Sequence, residues 1–283
     1  MHVLHPNRPP LVDSHAHLDS PDFAADTDEV VARAAEKGLV GVVSIGFEPA
    51  GWTPTLQLAS RYDIAFPALG IHPNSADQTS SATMSQLEIL CRQHPVVGLG
   101  ETGLDYYREY VSHEQQRESF RAHLELARQL DLPVIVHNRD AHADILDIVR
   151  RDGRGTRGVM HSFSGDVAYA EECLALGYMV SLAGPVTFKK AVDKHEVAAA
   201  VPLDMLLVET DCPYLTPEPY RGRRNEPSYV FYTAEAIARI RGVPLQVIAE
   251  ATTANAARLF GLPVRVEQTA MGQPQQTAIE AQP

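Results

Sequence analysis

Leu11-Val12-Asp13-Ser14-His15-Ala16-His17 is an apolar run that ends in two imidazoles spaced two residues apart. Successive side chains of a strand alternate between faces, so His15 and His17 share one face and can offer two nitrogens to one metal ion. Four later runs also end in a metal-binding residue type: Val96-Val97-Gly98-Leu99-Gly100-Glu101, Pro133-Val134-Ile135-Val136-His137, Gly158-Val159-Met160-His161 and Leu206-Leu207-Val208-Glu209-Thr210-Asp211. Five strand ends that supply imidazoles and carboxylates point to a metal centre at one mouth of a barrel.

Working outward from these runs, the hydrophobic periodicity predicts eight strands, near residues 10–16, 39–46, 64–70, 95–101, 133–137, 157–161, 178–182 and 205–210. Helical patterns lie between and after them, over 22–37, 112–130, 141–151, 167–176, 229–240 and 245–260, with Gly38, Gly177 and Gly261 as stop signals. Eight strands alternating with helices predict a parallel sheet closed as a single (β/α)8 TIM barrel. Residues 213–227 are too rich in Pro and Gly for a regular element and are read as a loop on the catalytic side. The barrel domain is expected over residues 1–263, with 1–9 a short N-terminal arm and 264–283 a disordered tail rich in Gln, Ala, Thr and Pro.

The bulk composition narrows the function. The chain has 283 residues, 45% of them apolar, and no uninterrupted apolar stretch near the ~18 residues of a membrane span. The first ten residues do not have the pattern of a secretory signal, and Cys91, Cys173 and Cys212 form no C-x-x-C pair. A cytoplasmic, monomeric protein with reduced thiols is expected, and Cys212 is read as a passive buried thiol because it points away from the face of Asp211. A net charge of -12 argues against a protein that wraps duplex nucleic acid, but not against an enzyme that grips one strand end.

His15, His17, Glu101, His137, His161 and Asp211 are the expected metal ligands. Six ligands are too many for one zinc ion but suit two divalent ions about 3.5 to 4 Å apart. Strand four faces the midline, so Glu101 is the expected bridge, with His15, His17 and Asp211 on one ion and His137 and His161 on the other. Asp211 is also expected to take the proton of the attacking water, which makes Glu101, Asp211 and His72 the catalytic set. His72 follows strand three in Gly70-Ile71-His72-Pro73, where an imidazolium would bind phosphate or protonate a leaving oxygen; the alternative is a loop histidine bonded to backbone. Arg139, Arg224 and Asn225 are expected to hold substrate phosphates, ahead of Arg221 and Arg223. Glu209 shares a face with Asp211 and is read as a partner standing behind the ligands, or as barrel core. Tyr106 and Tyr107 are expected to pack under the rim rather than to stack on a base.

These residues fall in segments that resemble one family. Asp13-Ser14-His15-Ala16-His17-Leu18, Gly70-Ile71-His72-Pro73, Gly100-Glu101-Thr102-Gly103-Leu104-Asp105-Tyr106, Pro133-Val134-Ile135-Val136-His137-Asn138-Arg139, His161-Ser162-Phe163-Ser164-Gly165, Glu209-Thr210-Asp211-Cys212-Pro213-Tyr214-Leu215 and Arg224-Asn225-Glu226-Pro227 together resemble the TatD-related metal-dependent deoxyribonucleases of the amidohydrolase-like barrels. The resemblance spans roughly residues 11–262. It implies that the family's ligands fall on the six residues above, and that the protein hydrolyses phosphodiester bonds of DNA, often as a 3′-end exonuclease. It also implies Mg²⁺ or Mn²⁺ for activity, with Zn²⁺ able to occupy the site. In a related branch a carboxylated lysine bridges the metals after strand four; Glu101 at that position favours the nuclease branch over phosphotriesterase-like enzymes.

The same metals could serve an acyl-ester or amide hydrolase, for instance a deacylase releasing a D-amino acid from tRNA, and the ligands alone do not separate the two. A metal-dependent binding module is the non-enzymatic alternative; a complete ligand set and an open mouth argue against it.

Overall fold

A computed structural model describes residues 9–264. Eight parallel strands form one sheet in chain order: β1 (Leu11–Ala16), β2 (Leu39–Gly46), β3 (Ala65–Leu69), β4 (Gly98–Asp105), β5 (Val134–Arg139), β6 (Gly158–Met160), β7 (Tyr178–Leu182) and β8 (Leu206–Val208). Helices α1 (Thr27–Glu36), α2 (Pro49–Arg61), α3 (Ser81–Gln93), α4 (His113–Leu130), α5 (His142–Asp152), α6 (Val167–Ala175), α7 (Val192–Ala200), α8 (Val230–Arg241) and α9 (Leu245–Phe260) follow the strands. The fold is the (β/α)8 barrel that the alternation predicts. All but the last residue of the arm and all but the first residue of the tail expected from composition lie outside the described residues.

Apolar alternation sorts the strand side chains into two cores. Val12, Val43, Ile135, Val159, Met179 and Leu207 pack together inside the barrel, while the second face of the sheet packs against the helices. Leu259 and Phe260 of α9 join the interior cluster. This helix is tied to the starts of the first and last strands: Thr253 donates to the Pro10 carbonyl at 2.9 Å and Asn255 Nδ2 to the Leu206 carbonyl at 2.9 Å. One end of the barrel is therefore plugged with side chains, and the opposite end, where the strands finish, carries the polar residues.

Closure between the first and last strands is made beyond β8. Asp211 N–H donates to His15 O at 2.9 Å, and His17 N–H to Cys212 O at 2.9 Å. The buried Asp13 carboxylate accepts from Thr210 N–H at 2.9 Å and from the Thr210 hydroxyl at 2.5 Å. These contacts bring the His15–His17 segment beside Asp211.

Strand β4 departs from the expected boundary. The sequence reading ends it at Glu101, whereas it continues to Asp105, with Gly103 paired to His137 and Leu104 to Asn138. Between Leu99 and Thr102 the register slips by one residue against β5, a bulge that re-aims the side chain of Glu101. Two glycines make this possible. At Gly100, φ is +145° and a Cβ would lie 2.5 Å from the Ile135 carbonyl oxygen; at Gly103, φ is +135° and it would lie 2.1 Å from that of His137. In the sequence these glycines look like the end of a strand, because glycine is usually a turn residue.

Candidate metal centre

The bulge in β4 places the Glu101 carboxylate among four imidazoles. Its Oε1 lies 2.6 Å from His137 Nδ1 and 2.9 Å from His161 Nε2. Its Oε2 lies 3.3 Å from His15 Nε2 and 3.9 Å from His17 Nε2. Asp211, just past β8 with φ +56°, places Oδ1 3.7 Å from His15 Nε2 and 3.4 Å from His17 Nε2, and these two nitrogens are themselves 3.4 Å apart. The six residues singled out by the strand-end pattern are thus gathered at one point, contributed by β1, β4, β5 and the ends of β6 and β8.

The spacing fits a cation. Ligand atoms about 2.1 Å from one ion in a tetrahedral shell sit about 3.4 Å apart. His15 Nε2 and His17 Nε2 lie 3.4 Å from each other, 3.7 and 3.4 Å from Asp211 Oδ1, and 3.3 and 3.9 Å from Glu101 Oε2, longer than most hydrogen bonds and close to that edge length. Among the described residues three groups of histidine and carboxylate atoms lie mutually within 4.8 Å: His15 with Glu101 and His161, His15 with His17 and Asp211, and His72 with Asp105 and His137.

Behind these residues stand supporting partners. Glu209 Oε1 lies 3.1 Å from His161 Nδ1 and accepts the Ser162 N–H at 2.7 Å. Glu209 is fully buried, so of the two sequence readings the geometry realises the partner behind the ligands. With Nδ1 held by Glu209, His161 turns Nε2 toward Glu101. Asp105 Oδ2, at the C-terminal end of β4, approaches His137 Nε2 at 3.4 Å.

The electrostatics follow from burial opposed by opposite charge. Burial penalises the Glu101 carboxylate, yet His161 and the hydrogen bonds from His137 and His15 outweigh it and hold the group well below the usual range. Burial likewise opposes charge on His161 and His17, but Glu101 and Glu209 raise the first well above its ordinary value and Asp211 raises the second. His15 goes the other way, lowered by burial and by His161. Asp105 is brought down to about 2: burial opposes its charge, and bonds to His137 and the Arg108 N–H win.

His72 differs from the expected imidazolium. Burial pushes it down to about 3, so the ring is neutral near pH 7. Its Nδ1 accepts the Asn74 N–H at 3.0 Å, which leaves the proton on Nε2, 3.5 Å from Glu101 Oε1. It is a neutral donor aimed at the centre, and the backbone bond considered as its alternative role is also present.

Other expected substrate contacts are divided. Arg139, at the end of β5, lines the mouth and rests its guanidinium 3.8 Å over the Tyr107 ring. Tyr107 is 57% exposed and is therefore not packed under the rim; it supports Arg139 instead. Tyr106 is partly buried and donates to Asp144 at 2.5 Å. Arg224 does not reach the mouth: it forms a two-pronged pair with Asp26 at 2.8 and 2.6 Å and donates to the Asp22 carbonyl at 2.6 Å. Asn225 is fully buried, with Nδ2 on the carbonyls of Thr210 at 2.9 Å and Tyr214 at 2.5 Å. Arg221 stacks on Phe188 and Arg223 on Tyr220. The 213–227 loop is anchored by its polar residues, and it presents Tyr214 and Leu215 to the mouth.

The cavity above the centre has a volume of about 640 Å³. Several of its residues carried no sequence signal as site residues: Phe47, whose ring is 5.2 Å from that of His17; exposed Tyr110 and Tyr214; Arg108; and Lys194. Asp105 had one, since it sits an even number of residues beyond Glu101 and shares its face in a continuous strand. Asp13 had the same relation to His15. Cys212 is fully buried, as expected of a passive thiol.

A parallel barrel that gathers histidines and carboxylates at the ends of its strands has the architecture of a metal-dependent hydrolase. Residues 12–261 match the family model described as TatD related DNase, and the chain belongs to that family. It is 41% identical over 251 residues to the uncharacterized metal-dependent hydrolase YabD of Bacillus subtilis, covering 88% of this chain and 98% of the relative. Identity to the 3′-5′ ssDNA/RNA exonuclease TatD of Klebsiella pneumoniae is 34% over 260 residues, covering 90% and 99%. The solved structure of YjjV, a TatD homologue of Escherichia coli, superposes with a TM-score of 0.84 at 32% identity, covering 89% and 98% of the two chains.

Proposed function

We propose that the mouth is a two-metal phosphodiesterase centre that removes nucleotides from the 3′ end of single-stranded DNA or of DNA ends, in a cytoplasmic, monomeric enzyme. The observation that carries this reading is the division of the Glu101 carboxylate, with Oε1 facing His137 and His161 and Oε2 facing His15 and His17. His15, His17 and Asp211 would hold one divalent ion, His137 and His161 the other, and Glu101 both. Bound there, two ions would act as Lewis acids on a phosphoryl oxygen and lower the pKa of a shared water. Mg²⁺ or Mn²⁺ suits the carboxylates and phosphate, and Zn²⁺ suits the imidazoles.

The chain's own residues supply the rest. Asp211, held ionised beside His17, accepts the proton of the attacking water. His72 gives a hydrogen bond from its Nε2–H to the phosphate or the leaving oxygen without transferring the proton, a role open to a neutral imidazole. Arg139, steadied on Tyr107, binds a phosphate oxygen, and exposed Tyr110 and Tyr214 offer faces on which unpaired bases stack. The exonuclease name of the Klebsiella pneumoniae relative supports this choice of substrate.

The test is metal-stripped protein incubated with a 5′-labelled single-stranded oligonucleotide and Mg²⁺, Mn²⁺ or Zn²⁺ in turn, with Asp211→Asn as the control. A ladder shortening from the 3′ end, dependent on added metal and absent in the variant, is expected. Absence of cleavage with every ion, together with release of the amino acid from a D-aminoacyl-tRNA, would replace this reading by the deacylase.

A further inference from the structure

Lys194 comes from α7, far in sequence from the motifs, yet it lines the same cavity as Glu101 and His161. Its ammonium donates to the Phe163 carbonyl at 3.1 Å, in the loop that leaves β6. Among the described residues no carboxylate pairs with it, and Asp193, its exposed chain neighbour, acts on it only through space. The other cations of the mouth, Arg108 and Arg139, are exposed and solvated, whereas Lys194 is half-buried. A cation withdrawn from water without a counter-ion is costly unless an anion meets it in the working state. Burial pushes its ammonium below the ordinary lysine range, which is the signature of that cost.

One backbone bond occupies one of three ammonium donors and leaves two for the cavity. Ser162 and Ser164, on either side of the Phe163 carbonyl that anchors Lys194, line the cavity as well. The geometry is that of a small anion cradle, with a point charge, the Ser162 hydroxyl, and the Ser164 hydroxyl, whose long 3.4 Å bond to the Asn138 carbonyl an anion would replace. It lies between the end of β6 and α7, next along the rim from Arg139 at the end of β5.

We propose that Lys194, with the hydroxyls of Ser162 and Ser164, forms a subsite that binds a phosphate group of the substrate. This subsite rests on the phosphodiester reading of the mouth and extends it: phosphate is gripped on both the β5 and the β7 side of the centre. Lys194 is a binding and positioning residue, so its loss weakens substrate capture more than turnover.

The test is Lys194→Gln, which keeps an amide donor for the Phe163 carbonyl while removing the charge, compared with Lys194→Arg. With a single-stranded oligonucleotide and the metal-loaded enzyme, Lys194→Gln is expected to raise KM about tenfold or more with kcat within about threefold. It should also reduce the slope of log KM against log salt by roughly 0.7, the value for one phosphate contact on a single strand. Lys194→Arg should restore most of the affinity. An unchanged KM and salt slope in Lys194→Gln would overturn the subsite, as would an equal loss in both variants. Titration of the metal-loaded protein with inorganic phosphate separates this from the choice of substrate. Affinity that falls about tenfold in Lys194→Gln supports the subsite even if no DNA is cleaved, and equal phosphate affinity in wild type and variant rejects it even if DNA is the substrate.

Discussion

His161 Nδ1 lies 3.1 Å from Glu209 Oε1, the same carboxylate oxygen that accepts the Ser162 N–H at 2.7 Å. A buried carboxylate thus sets both the tautomer and the tilt of the ring whose other nitrogen faces Glu101. Such partners typically alter metal affinity or activity 10- to 100-fold when changed. Glu209→Gln is accordingly expected to weaken metal binding by about tenfold to a hundredfold with the barrel intact. Calorimetric metal titration of the stripped variant reads this directly; wild-type affinity would show that Glu209 is only filling space.

Glu101 stands between His137 and His161 on one side and His15 and His17 on the other. Glu101→Ala is expected to reduce hydrolysis by at least about a thousandfold and to lower metal content, because among the described residues no other carboxylate faces both His137 and His161 and the His15–His17 pair. Circular dichroism should remain that of a folded barrel, since strand and helix packing supply the stability. A metal-replete, active Glu101→Ala protein would contradict the bridging role.

Arg139 and Arg224 separate two kinds of arginine. Arg139→Ala is expected to raise KM for an oligonucleotide several-fold, as an exposed phosphate contact on an aromatic support. Arg224→Ala should leave KM unchanged and alter stability little, because its pair with Asp26 is screened by solvent. Asn225→Ala should destabilise by about 1 to 3 kcal/mol, since it strands the buried carbonyl of Thr210. Kinetics and urea melts of the three variants check the set, and a raised KM in Arg224→Ala would return that residue to the substrate.

His123, buried on α4, accepts the Ile71 N–H on Nε2 at 3.1 Å and holds the Ser119 carbonyl 2.7 Å from Nδ1, next to the His72 loop. Burial lowers its pKa from 6.5 to about 4, with the Ser119 carbonyl opposing. A folded pKa below the unfolded one stabilises fully above pH 6.5, and that stability is lost as pH falls toward 4. At about 1.4 kcal/mol per pKa unit the loss is roughly 3.5 kcal/mol. His123→Gln should show a shallower fall in unfolding free energy between pH 7 and pH 4.5 than wild type, and parallel curves would count against this account.

Strand periodicity and the chemistry of strand ends, both local properties of the chain, determined the barrel and the six residues His15, His17, Glu101, His137, His161 and Asp211 as one group. A parallel barrel brings all C-terminal strand ends to one face, so a residue type recurring at those ends is a spatial cluster before any coordinates exist. Whatever depends on a partner distant in the chain was decided by the tertiary structure. The bulge that aims Glu101 exists only against β5; the glycines that permit it look like a strand end when read alone. Arg224 was drawn to Asp26, 198 residues away, and Asn225 to buried carbonyls. Lys194 reached the mouth from a helix whose own sequence gives no sign of it. A charged side chain reports its type but not its neighbour, and the neighbour determines whether it meets substrate or holds the fold.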